Sequence, residues 1–212
     1  MDRSGGLGVG EIGGIACSTA ARIWLEIAPM RRIDAIAFGD QLVRIPRERY
    51  EGRSDPFCAL PDLVELTATL TQNLSDRRPR GLGMEEWRAV CRRLEFLDDC
   101  AGLVRVGADS KPETALRIAM IDAGLPEPVL QYPIYVDGVL VTVADLAYPE
   151  RKIAIFYDGS PHLTPEAMVR DSRRSNLLSA DRWTTLLAVL SDYRQNFRGI
   201  VSLLSAELRR AA

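Results

Sequence analysis

The sequence predicts a two-part α/β protein: a helical region over residues 1–105 and a mixed α/β domain over residues 106–212. Three observations predict it. Up to about residue 105, apolar side chains recur at helical spacing and no strand pattern is present. Val139 to Tyr148 and Ile153 to Tyr157 are short runs rich in β-branched and aromatic residues, bounded by turn residues, as adjacent strands are. Helix starts flank the strand region: a capping box at Ser110-Lys111-Pro112-Glu113, and Thr164-Pro165-Glu166 with a cap followed by proline.

The elements follow in order. Residues 1–14 are glycine-rich and contain a literal GxGxxG at Gly8, Gly10 and Gly13. A dinucleotide fingerprint needs a strand before its glycines, and the first seven residues supply none, so the segment reads as a flexible or truncated terminus. Ser18 or Thr19 caps a helix through Trp24 that stops near Pro29. A second helix is expected from about Ile33 to Val43, with Asp40 and Arg44 spaced as an i,i+4 pair. Pro46 to Pro61 reads as a loop, Asp62 to Leu74 as a third helix and Met84 to Leu103 as a fourth. The capped helix from Ser110 ends at Gly124, a suitable C′ residue. Val129 to Val136 is extended, and Asp137-Gly138 is a two-residue hairpin turn into the strand at Val139. A helix from Thr164 to near Ala180, a strand over Trp183 to Leu190, a turn at Asp192 to Asn196 and a helix over Phe197 to Arg210 complete the chain.

Composition narrows the function classes. The chain is 47% hydrophobic and 26% charged, which excludes general disorder. The formal charge is only −2, so nucleic-acid binding requires a local basic patch rather than a bulk field. Cys17, Cys58, Cys91 and Cys100 are scattered and, with a single histidine, lack zinc-ligand spacing; they read as small apolar residues in a reducing cytoplasm. No signal peptide and no membrane-spanning stretch is expected.

The chemistry concentrates between residues 110 and 175. Asp145 interrupts an apolar strand, where a carboxylate requires a partner or a metal, and its strand neighbours supply no obvious ion partner. Asp158 shares a strand face with Phe156 and closes the next strand; it serves either a turn or a site. Glu113 is explained by the capping box or by catalysis, and His162 by helix entry or by proton transfer. Arg170, Arg173 and Arg174 form either a phosphate-contacting face or a solvated one. In a nuclease core of this layout, carboxylates on the second and third strands would hold one or two Mg²⁺ ions that activate water.

Four pieces carry a resemblance: GADSKPETALRIAMIDAGLPEP, VADLAYPERKIAI, YDGSPHLTPE, and RDSRRSNLL before a tryptophan-containing strand. Ser110 to about Val189 resembles the domain family related to very-short-patch-repair endonucleases, in the PD-(D/E)xK restriction-endonuclease-like superfamily. ARIWLEIA and AFGDQLVR resemble the middle of actinobacterial proteins that carry this domain after a winged-helix segment similar to abortive-infection antitoxins. That segment is absent here, and the expectation is a short version or a fragment. The resemblance implies a restriction-endonuclease-like core and a Mg²⁺- or Mn²⁺-dependent DNA endonuclease of repair or defence. In it Asp145 would be a metal ligand, Glu113 the acid from the first helix, and Asp158 and His162 the polar groups after the third strand; in an active site, Asp145 with Glu113 or Asp158 would hold the metal and His162 would assist proton transfer. DNA is the implied partner, with a protein partner through the helical region. One position departs: the family reads Glu-x-Asp-Gly where this chain reads Phe156-Tyr157-Asp158-Gly159. Phe156 in place of the glutamate implies either a degenerate nuclease or a non-catalytic nucleic-acid-binding or regulatory protein of a defence or toxin–antitoxin system.

Overall fold

The computed structural model describes residues 9–12, 15–28, 30–47, 51–159 and 165–210; side chains are described from residue 16, and not over 160–171. The chain divides into two compact units, Met1–Lys111 and Pro112–Ala212.

The first unit opens with two strands, β1 (Val9–Ile12) and β2 (Ile15–Ser18), paired antiparallel from Val9↔Ser18 to Ile12↔Ile15. This corrects the expectation of a strand-free region; Gly8 and Gly13 of the glycine-rich stretch lie outside the described residues. Helices α1 (Ala20–Ile27), α2 (Arg32–Val43), α3 (Leu60–Asp76) and α4 (Met84–Ala101) follow. The Thr19 hydroxyl accepts from the Arg22 N–H at 3.3 Å and satisfies one of the free donors at the start of α1. Trp24 is fully buried, and its indole N–H donates to the Ala35 carbonyl at 2.9 Å, which fixes α1 against α2. Arg93 donates to the carbonyls of Leu25, Glu26 and Ala28 at 3.0–3.1 Å, so a guanidinium from α4 closes the negative end of α1. The expected Asp40–Arg44 pair does not form. Asp40 is fully buried and accepts from the Arg105 N–H at 2.7 Å, while Arg44 reaches Glu51 at 2.7 Å and Asp109 at 3.5 Å. A buried carboxylate gains more from an otherwise unpaired main-chain donor than from an i,i+4 partner at the surface.

The second unit is a mixed α/β layer built on a four-stranded sheet. Its elements are α5 (Lys111–Asp122), β3 (Val129–Val136), β4 (Val139–Tyr148), a 3₁₀ turn (Pro149–Arg151), β5 (Ile153–Asp158), α6 (Pro165–Ala180), β6 (Thr184–Val189), α7 (Leu190–Arg194) and α8 (Arg198–Arg210). The strand order is β3-β4-β5-β6; the first three run antiparallel, and β6 returns parallel to β5 through the α6 crossover. Asp137 and Gly138, at φ 49° and 78°, make the expected hairpin turn. The expected turn after Asp192 lies partly within the short helix α7, whose start is held by Asp192 accepting from the Val189 N–H at 2.9 Å. The core gathers Ile134, Ala144, Ala147, Ala154 and Leu178. Immediately before α8, Phe197 is buried at φ 56°, a left-handed conformation costly for a bulky residue, with its ring against Tyr157 and Tyr193. Among the described residues, no helix is long and apolar enough to cross a membrane.

Two expectations follow. A Cβ at Gly39 in α2 would stand 2.5 Å from Val104 Cγ2 and 3.3 Å from Trp24 Nε1. Alanine normally favours a helix interior over glycine by about 1 kcal/mol. Here overpacking, about 1–3 kcal/mol, reverses the sign, and chemical denaturation of Gly39→Ala should show net destabilisation. On β4, burial pushes the Tyr148 phenol up to about 12, and its hydroxyl donates to the Pro126 carbonyl at 2.7 Å. Below pH 10 both folded and unfolded chains keep that proton and the contribution is complete. Between pH 10 and about 12 the unfolded chain loses it first, so stability falls as pH rises. In Tyr148→Phe, urea midpoints should decline less steeply across that window.

Candidate functional site

The sequence-predicted carboxylates meet where the sheet opens. The β4–β5 ladder pairs Tyr148↔Ile153, Ala147↔Ala154 and Leu146↔Ile155. One residue further, a side chain takes over: Asp145 Oδ2 accepts from the Tyr157 N–H at 2.7 Å. The partner that a carboxylate in this apolar strand requires is thus present. The partner is a main-chain donor on the next strand, which an apolar sequence pattern does not reveal.

Beyond this point lies a cleft of about 480 Å³ between the sheet and α6. Register places its floor. Ala147, Ala154 and Thr185 are partners across β4, β5 and β6, so Asp145, Phe156, Asp158 and Leu187 lie on the same face by alternation. Helix α6 supplies Arg174, Ser175 and Leu178 to the opposite wall. The Arg174 guanidinium stands 4.7 Å from the centroid of the Phe156 ring, a cation–π contact at the position where the nuclease resemblance calls for glutamate. Tyr157 also lines the cleft; burial raises its phenol pKa first, with the nearby Tyr193 and Asp158 adding to the shift.

The structure therefore brings Asp145, Asp158 and Arg174 to one cleft. Glu113, in the first turn of α5, is only 7% exposed and does not line it. Arg173 is exposed on α6. His162 and the side chain of Arg170 lie outside the described residues. The sequence reading missed Thr185 and Leu187, which form the far wall. Strand parity within Trp183 to Leu190 was the available signal, once the pairing of Thr185 with Ala154 was known.

The donor set can be tested against a divalent cation. Among the described residues, no group of three or more histidine, cysteine, aspartate or glutamate side chains is arranged to hold a metal. Mg²⁺ takes an octahedron of oxygens. Here one oxygen of Asp145 is engaged by a peptide N–H, and a phenyl ring carrying a guanidinium stands on the face shared by the two carboxylates. The described residues alone do not fit a resident Mg²⁺ or Mn²⁺. They form an arginine-bearing cleft with acidic and aromatic walls, in a mixed α/β unit.

No family model matches the chain. Over 105 residues it is 35% identical to an uncharacterized protein of Mycobacterium tuberculosis, found in each of two strains. The match covers 49% of this chain and 39% of the relative, so the chain spans about two fifths of the length of the curated relatives it matches. No solved structure matches.

Asp145 should prove structural whatever else it does. Asp145→Ala strips the Tyr157 N–H of its acceptor, at a cost of about 1–3 kcal/mol. Asp145→Asn keeps a carbonyl oxygen and should lose less. Urea unfolding of the two variants beside the parent measures the difference.

Proposed function

We propose that the second unit is a restriction-endonuclease-like domain that holds nucleic acid without cutting it, the cleft having exchanged a metal site for an arginine. Four features support the fold. A helix leads into three antiparallel strands, a crossover helix follows, and the fourth strand lies parallel to the third. The two expected carboxylates face one cleft. The observation that carries the function is the Arg174–Phe156 contact: a fixed cation beside an aromatic ring where a metal carboxylate was expected. A guanidinium binds a phosphate oxygen without a metal and presents fork geometry that lysine lacks. Arg173, exposed on the same helix, extends the contact along a backbone, with Arg170 three residues before it. The helical first unit is the part suited to a protein partner, in a defence or toxin–antitoxin setting.

A second reading, a metal-dependent endodeoxyribonuclease, draws on Asp145 and Asp158 sharing the cleft. One set of assays separates the two. Single-stranded, linear, supercoiled and mismatched DNA, and RNA, are titrated at several salt concentrations and incubated with Mg²⁺ or Mn²⁺. The expected result is binding that weakens steeply with salt, with no cleavage. Replacing Arg173 and Arg174 together by alanine should flatten the logarithmic salt slope by about one to two units. Cleavage by the parent that disappears in Asp145→Asn would establish the nuclease reading instead. Absence of binding to every substrate would sink both. Phe156→Glu tests the site's history: restored metal-dependent cleavage marks a damaged nuclease.

A further inference from the structure

The two edges of the sheet are built differently. Strand β3 is blunted: Pro133 has no N–H, Gln131 sits at φ 47°, and the register with β4 breaks between Ile134 and Tyr135. Strand β6 carries none of these devices. It reads Thr-Thr-Leu-Leu-Ala-Val, without proline, glycine or charge, and pairs without a break from Ile153↔Thr184 to Asp158↔Val189. An unblunted apolar edge invites another strand, and natural sheets rarely leave one bare.

The direction of each peptide group follows from the ladder. Thr184 donates its N–H to the Lys152 carbonyl at 2.8 Å, so Thr184, Leu186 and Ala188 turn toward β5. Thr185, Leu187 and Val189 turn outward by alternation. The Val189 N–H is occupied by Asp192, which closes the edge at that end. Among the described residues, none bonds the outward N–H and C=O of Thr185 and Leu187. Both side chains are exposed, Leu187 to 55%, and Leu190 just beyond is exposed to 43%.

We propose that β6 is a dimer edge, occupied by β6 of a second copy of this chain running antiparallel about a two-fold axis at Leu186. In that register Thr185 faces the partner subunit's Leu187, and Leu187 faces the partner subunit's Thr185. Each such pair exchanges both N–H···O bonds, so every open group on both edges is satisfied at once. The edge is self-complementary, uncharged and short, as an isologous contact requires, and the two-fold closes the assembly at two copies. The exposed Leu187 side chains come together across the axis and leave water. Because Thr185 and Leu187 also wall the cleft, the two clefts stand side by side on one continuous sheet. The pairing does not rest on what the cleft binds.

The test uses the full chain. Sedimentation equilibrium over a wide concentration range should give a monomer–dimer equilibrium. Thr185→Pro removes an outward N–H and leaves the β5 ladder intact, as proline on the open side of an edge strand does. Leu187→Lys places charge against charge across the axis. Each should weaken dimerisation about tenfold or more, an equilibrium change of about 1.4 kcal/mol, with unchanged circular dichroism. Leu187→Lys, a change at an exposed side chain, decides the matter if the proline variant misfolds. Hydrogen exchange at the Thr185 and Leu187 amides should be slow in the parent dimer and fast in Leu187→Lys. A parent that stays monomeric throughout, a dimer that survives Leu187→Lys, or fast exchange at both amides in the parent dimer overturns the proposal.

Discussion

The Asp145 carboxylate on the Tyr157 N–H is the constraint on which the site depends. It sits where the β4–β5 main-chain ladder ends, and it does with a side chain what the next rung would do with a peptide group. Two results follow from one bond. The strands stay joined although their backbones have stopped pairing, and the sheet face beyond them opens under α6. A side chain without an acceptor at position 145 would leave a peptide donor unpaired. The same carboxylate cannot give both oxygens freely to a cation while it holds the strands.

Local signals described the second unit well. Short β-branched and aromatic runs bounded by turn residues located β4 and β5, an extended run located β3, the Asp137-Gly138 turn set the hairpin, and proline in the first turn marked the start of α6. These features are dictated by neighbours in sequence. The misses share a cause: each depends on a pairing that the apolar pattern of a single segment does not encode. Strands β1 and β2, four residues each, hold together by pairing with each other, not by apolar alternation. Asp40 left Arg44 for the backbone of Arg105, sixty-five residues away. The cleft walls were half legible, because Asp145 and Asp158 announce themselves as carboxylates in or beside apolar strands, whereas Thr185 and Leu187 gain meaning only from their register with β5.

Phe156 sets the character of the cleft floor. A glutamate there would add a third carboxylate to a face already carrying two, and their mutual repulsion favours a divalent cation between them. A phenyl ring supplies no such charge, and its π face attracts a monovalent organic cation, which Arg174 supplies from α6. The first unit follows a comparable economy. Arg93 gathers three carbonyls at the end of α1, using one side chain to close a helix that lacks a basic residue in its own last turn.

The alanines under α6 have a consequence for how such a cleft could diversify. Ala147 and Ala154 are neighbours across β4 and β5, both fully buried, and Leu178 of α6 packs into the same cluster. They act as a shim. A methyl or two added at either position would lift the crossover helix from the sheet and widen the gap between Arg174 and the floor, with no charge altered. Aperture and chemistry are thus set by separate residues, so a lineage carrying this fold could fit ligands of different girth while keeping the same electrostatics.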